Sequence, residues 1–369
     1  MGKKIIINDK RSLNQNNRRK NELKDERNTK CSSSNDDDSS NLSNLEGMKK
    51  YVKQNNPELD DIFEFQEYIG SGAESYVYKT IIKKNGKIVV NKMIVIKEKE
   101  RERKRIFNEI MISRKLKHQN IIDFYGCYEV KKNEVSCIVM EYSKYGNLRD
   151  FRKNVLKGKT YTETFLCFIA HQILTALKYL EMCKVAHLDL KPQNITINEF
   201  LTVKLIDFSI SVDYSRINSN KIELSSCGTK HYMAPEVISS KTIDVKDLNK
   251  VDLFSLGVVL YNLAFGTFPF NYECEDFNNK EEIYNKIMNS EIEFDNSLYS
   301  SHFIDFLNKL LEKDINKRID INQALNHYWV KGAKLILEEK ENLYNAGKFL
   351  AVLITDHIKN FSDYLNKSL

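Results

Sequence analysis

From Phe63 the chain reads first as strands and then, past Gly146, as helices, and that single change of texture limits what it can fold into. FEFQEYIG, SYVYKTIIKK and KIVVNKMIVIK are short runs rich in β-branched and aromatic residues, the signature of strands. Asn85-Gly86 supplies a hairpin signal between the second and third runs. A charged, helix-favouring segment, EKERERKRIFNEIMISRKLK, follows, and two more strand-like runs, IIDFYGCYE and VSCIVMEY, complete the set. Beyond Gly146, TETFLCFIAHQILTALKYLEMC carries apolar residues at helical spacing, and VDLFSLGVVLYNLAFG is apolar almost all round, as a buried helix is. The pattern predicts an α+β chain: a small antiparallel sheet with one main helix, then a larger, mainly α-helical part, with a cleft between them. No internal repeat is visible.

Composition trims the alternatives. Hydrophobic residues make up 41% of 369 residues, enough for a sizeable core. No run approaches about 18 uninterrupted apolar residues, so no membrane span is expected. MGKKIIINDKR turns polar too quickly for a signal peptide, and Ile6 stands where a myristoylation motif wants Ser or Thr. The net charge of +6 is spread along the chain, which points away from a nucleic-acid footprint. Cys31, Cys127, Cys137, Cys167, Cys183, Cys227 and Cys274 form no CxxC pair and read as scattered thiols of a reducing, intracellular compartment, cytoplasmic or nuclear. Residues 1–60, with the run CSSSNDDDSSNLSN, read as a disordered polar extension. Residues 333–369 read as an amphipathic helical tail that docks back on the domain or on a partner.

Four clusters carry chemistry. Ile69-Gly70-Ser71-Gly72-Ala73-Glu74-Ser75, followed by Val77, joins two strands; its glycines make either a tight hairpin or a cradle that lets amides approach phosphate oxygens. No helix opens after it, which excludes a dinucleotide fingerprint, and no Walker A motif occurs. Lys97 follows the apolar MIVI, so its ammonium needs an anionic partner; Glu109 is the candidate, with Glu102 the alternative. His187-Leu188-Asp189-Leu190-Lys191-Pro192-Gln193-Asn194 and Asp207-Phe208-Ser209 bring two carboxylates and an Asn close together in sequence. Such hard oxygen ligands suit magnesium bound to nucleotide phosphates.

Taken in order, the glycine loop, VIK, the helix Glu, HLDLKPQN, DFS, Met233-Ala234-Pro235-Glu236, Asp252 and Arg318 resemble the eukaryotic protein kinase superfamily over about Phe63 to Val330. The resemblance implies a two-lobed kinase fold over 61–332, with small and large lobes meeting near 142 and ATP in the cleft. It implies that Gly70 and Gly72 cover the ATP phosphates and that Lys97 holds the α- and β-phosphates while pairing with Glu109. Asp189 would accept the substrate hydroxyl's proton, Lys191 would neutralise the transferring phosphoryl group, and Asn194 and Asp207 would hold Mg2+ or, in its place, Mn2+. Val95 and Thr196 would sandwich adenine, Met140 would sit behind it, and Glu141, Tyr142 and Ser143 would form the hinge. Lys191 and the Gly228-Thr229 to Glu236 run resemble serine/threonine kinases, with protein Ser/Thr hydroxyls as acceptors. Thr229 would contact Asp189 and Lys191, and Glu236 would pair with Arg318. His187 reads as a structural hydrogen-bonding residue beside the magnesium loop rather than a base.

The departures are informative. Leu188 stands where many kinases have an Arg that pairs with a phosphorylated activation segment, so phosphorylation of Ser225 or Ser226 is not expected to be an obligatory switch. Ser209 replaces a glycine, which would cost on the order of 1 kcal/mol if the backbone there needs positive φ. Ser75 replaces the third loop glycine. The alternative to an active enzyme is a pseudokinase that binds nucleotide as a scaffold. A metal-dependent phosphatase or nuclease would leave the glycine loop and Lys97 without purpose.

Overall fold

The computed structural model describes residues 44–72, 75–96, 99–130, 134–224, 228–239, 242–271, 280–294 and 298–333. The described residues divide into two compact units, one of those up to 103 together with those of 124–142, the other of those of 104–123 together with those from 143 onward.

The first unit is a five-stranded antiparallel sheet in the order β1-β2-β3-β5-β4: β1 Phe63–Ser71, β2 Ser75–Ile82, β3 Lys87–Val95, β4 Phe124–Val130 and β5 Val135–Glu141. The five strand-like runs of the sequence are these strands. At the β2–β3 turn Gly86 takes φ +70, and Asn85 Oδ1 accepts from the Lys87 amide at 3.1 Å, which is the chemistry the Asn-Gly pair offers. Alternate residues of the strands, among them Phe63, Phe65, Tyr78, Val89, Met93, Val130, Cys137 and Val139, form one buried face.

That face is completed from a place the composition did not suggest. Residues 45–62 form two helices, α1 Leu45–Asn55 and α2 Pro57–Ile62. Met48, Tyr51, Val52 and Leu59 are buried against the sheet. The spacing 48, 51, 52 is one helical face, Asn44 caps α1, and Pro57 opens α2. Asn56 Nδ2 donates to the Glu129 carbonyl of β4 at 3.1 Å, and the Lys83 amide to the Ile62 carbonyl at 2.9 Å. The expectation of a disordered extension up to residue 60 therefore fails from Asn44 onward: four apolar residues at the right spacing outweigh a polar average. Met48 is fully buried, so Met48→Ala should destabilise the full chain by about 2–5 kcal/mol in a chemical denaturation experiment. Exposed Lys50→Ala should change stability by less than about 0.5 kcal/mol.

Helix α3, Lys99–Lys115, is the charged segment predicted as a helix. The second unit adds α4 Leu148–Asn154, α5 Glu163–Met182, α6 Pro235–Ile238, α7 Leu248–Phe265, α8 Lys280–Asn289, α9 Ser301–Leu310 and α10 Ile321–Leu325. Three short antiparallel pairs accompany them: β6 Val185–Ala186 with β9 Val212–Asp213, β7 Ile195–Ile197 with β8 Val203–Leu205, and β10 Lys221–Glu223 with β11 Thr242–Asp244. α5 and the helical stretch 245–265 are long and apolar enough on average to cross a bilayer, yet 67% and 78% of their windows are buried inside the fold; they are core helices. α7 ends at Gly266, whose φ of +78 lets its amide donate back to the Asn262 carbonyl at 3.0 Å. The tail expected at 333–369 lies outside the described residues from 334 onward.

Candidate active site

A turn held in a costly conformation sits at the centre of the second unit. Leu188 adopts φ +64, a left-handed backbone that costs a branched residue roughly 1–2 kcal/mol. Asp252, in the first turns of α7 and only 1% exposed, holds it there: its carboxylate accepts from the His187 and Leu188 amides, both at 2.7 Å. Burial pushes the Asp252 carboxyl above its ordinary range, against the opposing pull of His187 and the two amides. His187 Nδ1 accepts from the Asp189 amide at 3.3 Å, so Nε2 carries the proton and donates to the Ile206 carbonyl at 3.0 Å. The imidazole bridges two loops, as the sequence suggested.

Asp189 follows, with four donors converging on its carboxylate. Lys191 Nζ at 2.7 Å and Asn194 Nδ2 at 2.9 Å reach Oδ2; the Thr229 amide and hydroxyl, each at 3.0 Å, reach Oδ1. Lys191 also donates to Thr229 Oγ1 at 2.8 Å, closing a triangle among Asp189, Lys191 and Thr229. Gly228 is required beside it. At φ +108, an added Cβ would lie 2.8 Å from the Leu188 carbonyl oxygen.

Asn194 spends its amide hydrogens on Asp189, reaching the backbone carbonyl as well at 2.9 Å, which leaves Oδ1 as the atom that could hold a cation. Its own carbonyl accepts from the Ile206 amide at 3.0 Å, bringing the next residue, Asp207, alongside. Asp207 is itself left-handed at φ +66, and its Oδ1 accepts from the Ser209 amide at 3.3 Å. The strain expected at Ser209 is absent, because positive φ falls on Asp207 and Leu188 instead. A serine at 209 therefore carries no backbone penalty. Asn194 and Asp207 offer the two hard oxygen donors that Mg2+ takes when nucleotide phosphates and water complete its shell. No group of three or more His, Cys, Asp or Glu placed to hold a metal ion occurs among the described residues.

The remaining site residues distribute as follows. Ile69, Gly70 and Ser71 end β1, with Gly70 paired to Val77 and Ser71 to Tyr76; the Gly72 amide donates to the Ser75 carbonyl at 2.9 Å. Gly72 is crowded, since a Cβ would meet Ser75 Oγ at 2.9 Å, whereas Gly70 has no atom within 4 Å of its Cβ position and no left-handed φ. Val95 ends β3 opposite Val135; Met140 and Glu141 end β5, opposite Val90 and Val89. Lys79 Nζ lies over the Tyr142 ring, 5.3 Å from its centroid. Ser143 and Thr196 share a hydroxyl hydrogen bond of 2.9 Å. Glu109 is 3% exposed on α3; Glu102 is 4% exposed, and its Oε2 finds no hydrogen-bond partner among the described residues. Ala73, Glu74, Lys97, Ser225 and Ser226 lie outside the described residues. Glu236 meets Arg318 through two parallel bonds of 2.7 and 3.0 Å.

Two residues near the site went unnoticed in the sequence. Asn108 of α3 donates through Nδ2 to the Ser211 carbonyl at 2.8 Å, and Ser211 Oγ donates to the His187 carbonyl at 2.9 Å. Neither residue belongs to a motif; only the adjacency of Asn108 to Glu109 and of Ser211 to Asp207-Phe208-Ser209 could have drawn the eye.

A five-stranded antiparallel unit and a helical unit that carries this Asp-Lys-Asn-Asp constellation are the parts of a two-lobed protein kinase fold. The protein kinase domain profile matches residues 63–330, and the chain belongs to that family. It is 30% identical over 326 residues, 79% of this chain, to "Probable serine/threonine-protein kinase fhkA" of Dictyostelium discoideum. It is 32% identical over 320 residues, 83% of this chain, to "Calcium-dependent protein kinase 5" of Plasmodium falciparum. The matches take in 54% and 53% of those proteins, so the chain spans about half the length of the curated relatives it matches.

Proposed function

We propose that the chain transfers the γ-phosphate of ATP, with Mg2+, to serine or threonine hydroxyls of protein substrates. The observation that carries this reading is the Asp189 carboxylate, fixed by four donors and triangulated with Lys191 and Thr229. A loose phosphoryl-transfer transition state needs alignment and charge neutralisation rather than covalent help. Asp189 is oriented to take the acceptor hydroxyl's proton. Lys191, already beside it, supplies positive charge to the moving phosphoryl group. Asn194 Oδ1 and the Asp207 carboxylate would hold the metal, which when bound neutralises phosphate charge. Gly70 suits a nucleotide cover: nothing lies within 4 Å of its Cβ position, so a ligand can approach the backbone closely there.

Serine/threonine specificity is supported by the Lys191–Thr229 contact and by the name of one relative, the Dictyostelium discoideum protein. The test is magnesium-dependent transfer of labelled phosphate from ATP to a generic protein substrate, with phosphoamino-acid analysis of the product. Phosphotyrosine alone would overturn the specificity. Nucleotide binding without transfer would favour the scaffold reading.

Activation without loop phosphorylation belongs to the same proposal. Leu188 is buried and lines a small cavity in which Leu224, Met233, Val237 and Val251 supply apolar wall and Asp189, Thr229 and Ser255 polar wall. A leucine side chain there packs the segment by apolar contact and offers nothing to a phosphate. The double variant Ser225→Ala/Ser226→Ala should retain activity within about twofold, since Leu188 can make no charge-assisted bond to a phosphate at either position. A loss of activity restored by glutamate at both positions would refute this.

A further inference from the structure

We infer that Ser211 is a positioning residue for the metal-binding Asp207, acting with Asn108 of α3 as a buried hydrogen-bond junction. This rests on the kinase reading above, in which Asp207 holds the metal.

Ser211 is 3% exposed and each of its polar groups is engaged. Its amide donates to the Phe208 carbonyl at 3.2 Å, its hydroxyl to the His187 carbonyl at 2.9 Å, and its carbonyl accepts from Asn108 Nδ2 at 2.8 Å. The same Asn108 amide reaches the Phe208 carbonyl at 3.5 Å. Three segments therefore meet at one residue, α3 through the Ser211 carbonyl and the turn before Asp189 through its hydroxyl, with the loop that carries Asp207 as the third. The loop's other end is fixed where Ile206 donates to Asn194 and accepts from His187 Nε2. Immediately after Ser211 the chain enters β9, where Val212 pairs with Ala186. Lys115, further along α3, donates to Asp213 Oδ2 and to the Cys183 carbonyl, both at 2.8 Å.

The need for such a junction is visible in Asp207 itself. A non-glycine residue at φ +66 persists only where its surroundings over-determine it. Ile206 holds the loop on one side of Asp207 and Ser211 on the other. Removing the Ser211 hydroxyl leaves the His187 carbonyl without that buried donor and frees one end of the loop. The effect should fall on metal-dependent binding, because Asp207 is the group whose placement relaxes.

The experiment measures ATP affinity of the whole 369-residue chain by calorimetry with and without Mg2+, beside thermal unfolding. Ser211→Ala and Asn108→Ala should each weaken ATP binding about fivefold to tenfold in Mg2+, the worth of one buried hydrogen bond. Metal-free affinity should stay at the wild-type value. The Mg2+ concentration for half-maximal transfer should rise by the same factor, and Ser211→Thr, which keeps the hydroxyl, should restore both. Equal losses with and without metal would overturn the inference, as would unchanged affinity in both alanine variants or a threonine variant that behaves like alanine. If Ser211→Ala fails to fold, Asn108→Ala decides by the same criteria. Wild-type protein with no magnesium-dependent ATP binding would instead sink the kinase reading, and this inference with it.

Discussion

Asp189→Asn is expected to lower the rate of phosphate transfer about a thousandfold, in the range lost when a positioned general base is removed. The substitution also has a structural side that can be read from its four donors. An Asn side chain presents one acceptor and one donor. Turned one way, its NH2 faces Lys191 Nζ and Asn194 Nδ2; turned the other way, it faces the Thr229 amide. Either orientation sets donor against donor, so Lys191 or Thr229 must shift as well. Thermal unfolding should move by only a few degrees, because the surrounding turn is held by Asp252 rather than by Asp189. The pair of measurements is kcat and Tm on the same preparation. Transfer above a tenth of the wild-type rate would remove Asp189 from the chemistry.

Arg318→Leu should produce the largest loss of stability. Arg318 is 2% exposed, and every nitrogen of its guanidinium is used: two bonds to Glu236, with others to the carbonyls of Glu312, Lys250 and Lys313. The guanidinium also lies over the Phe254 ring, 4.9 Å from its centroid. Removing it strands a carboxylate in a largely buried site, which costs about 3–5 kcal/mol and lowers Tm by about 10 °C. Lysine cannot substitute, since a point charge does not reproduce the fork. The double variant Arg318→Leu/Glu236→Leu should be less damaged than the sum of the single changes, because the stranded charge goes with its partner. Additive losses would show that the two residues act separately.

What the sequence disclosed, and what it withheld, divides along physical lines. The five strands and the two long core helices were legible because periodicity is local, and Asn85-Gly86 declared its turn for the same reason. The ordered motifs placed Asp189, Lys191, Asn194 and Asp207 in a row before any geometry was known. The left-handed turns were not legible. A serine in place of a glycine drew suspicion to 209, whereas the positive φ belongs to Leu188 and Asp207, held by Asp252 and Ile206 contacts that lie far along the chain. Asn108 and Ser211 escaped notice because a side chain that bonds only to backbone carbonyls leaves no residue-type partner to search for. α1 escaped because four apolar residues disappear in the average of a polar extension.

The family profile begins at Phe63, yet the apolar face of the sheet is closed by Met48, Tyr51, Val52 and Leu59. The unit that is inherited and the unit that folds thus start at different residues. A fragment cut at the inherited boundary would keep every candidate site residue while removing four members of the sheet's buried cluster, and the apolar surface so exposed should favour self-association. For this chain, the cover of the sheet and the candidate site are encoded in separate stretches of sequence.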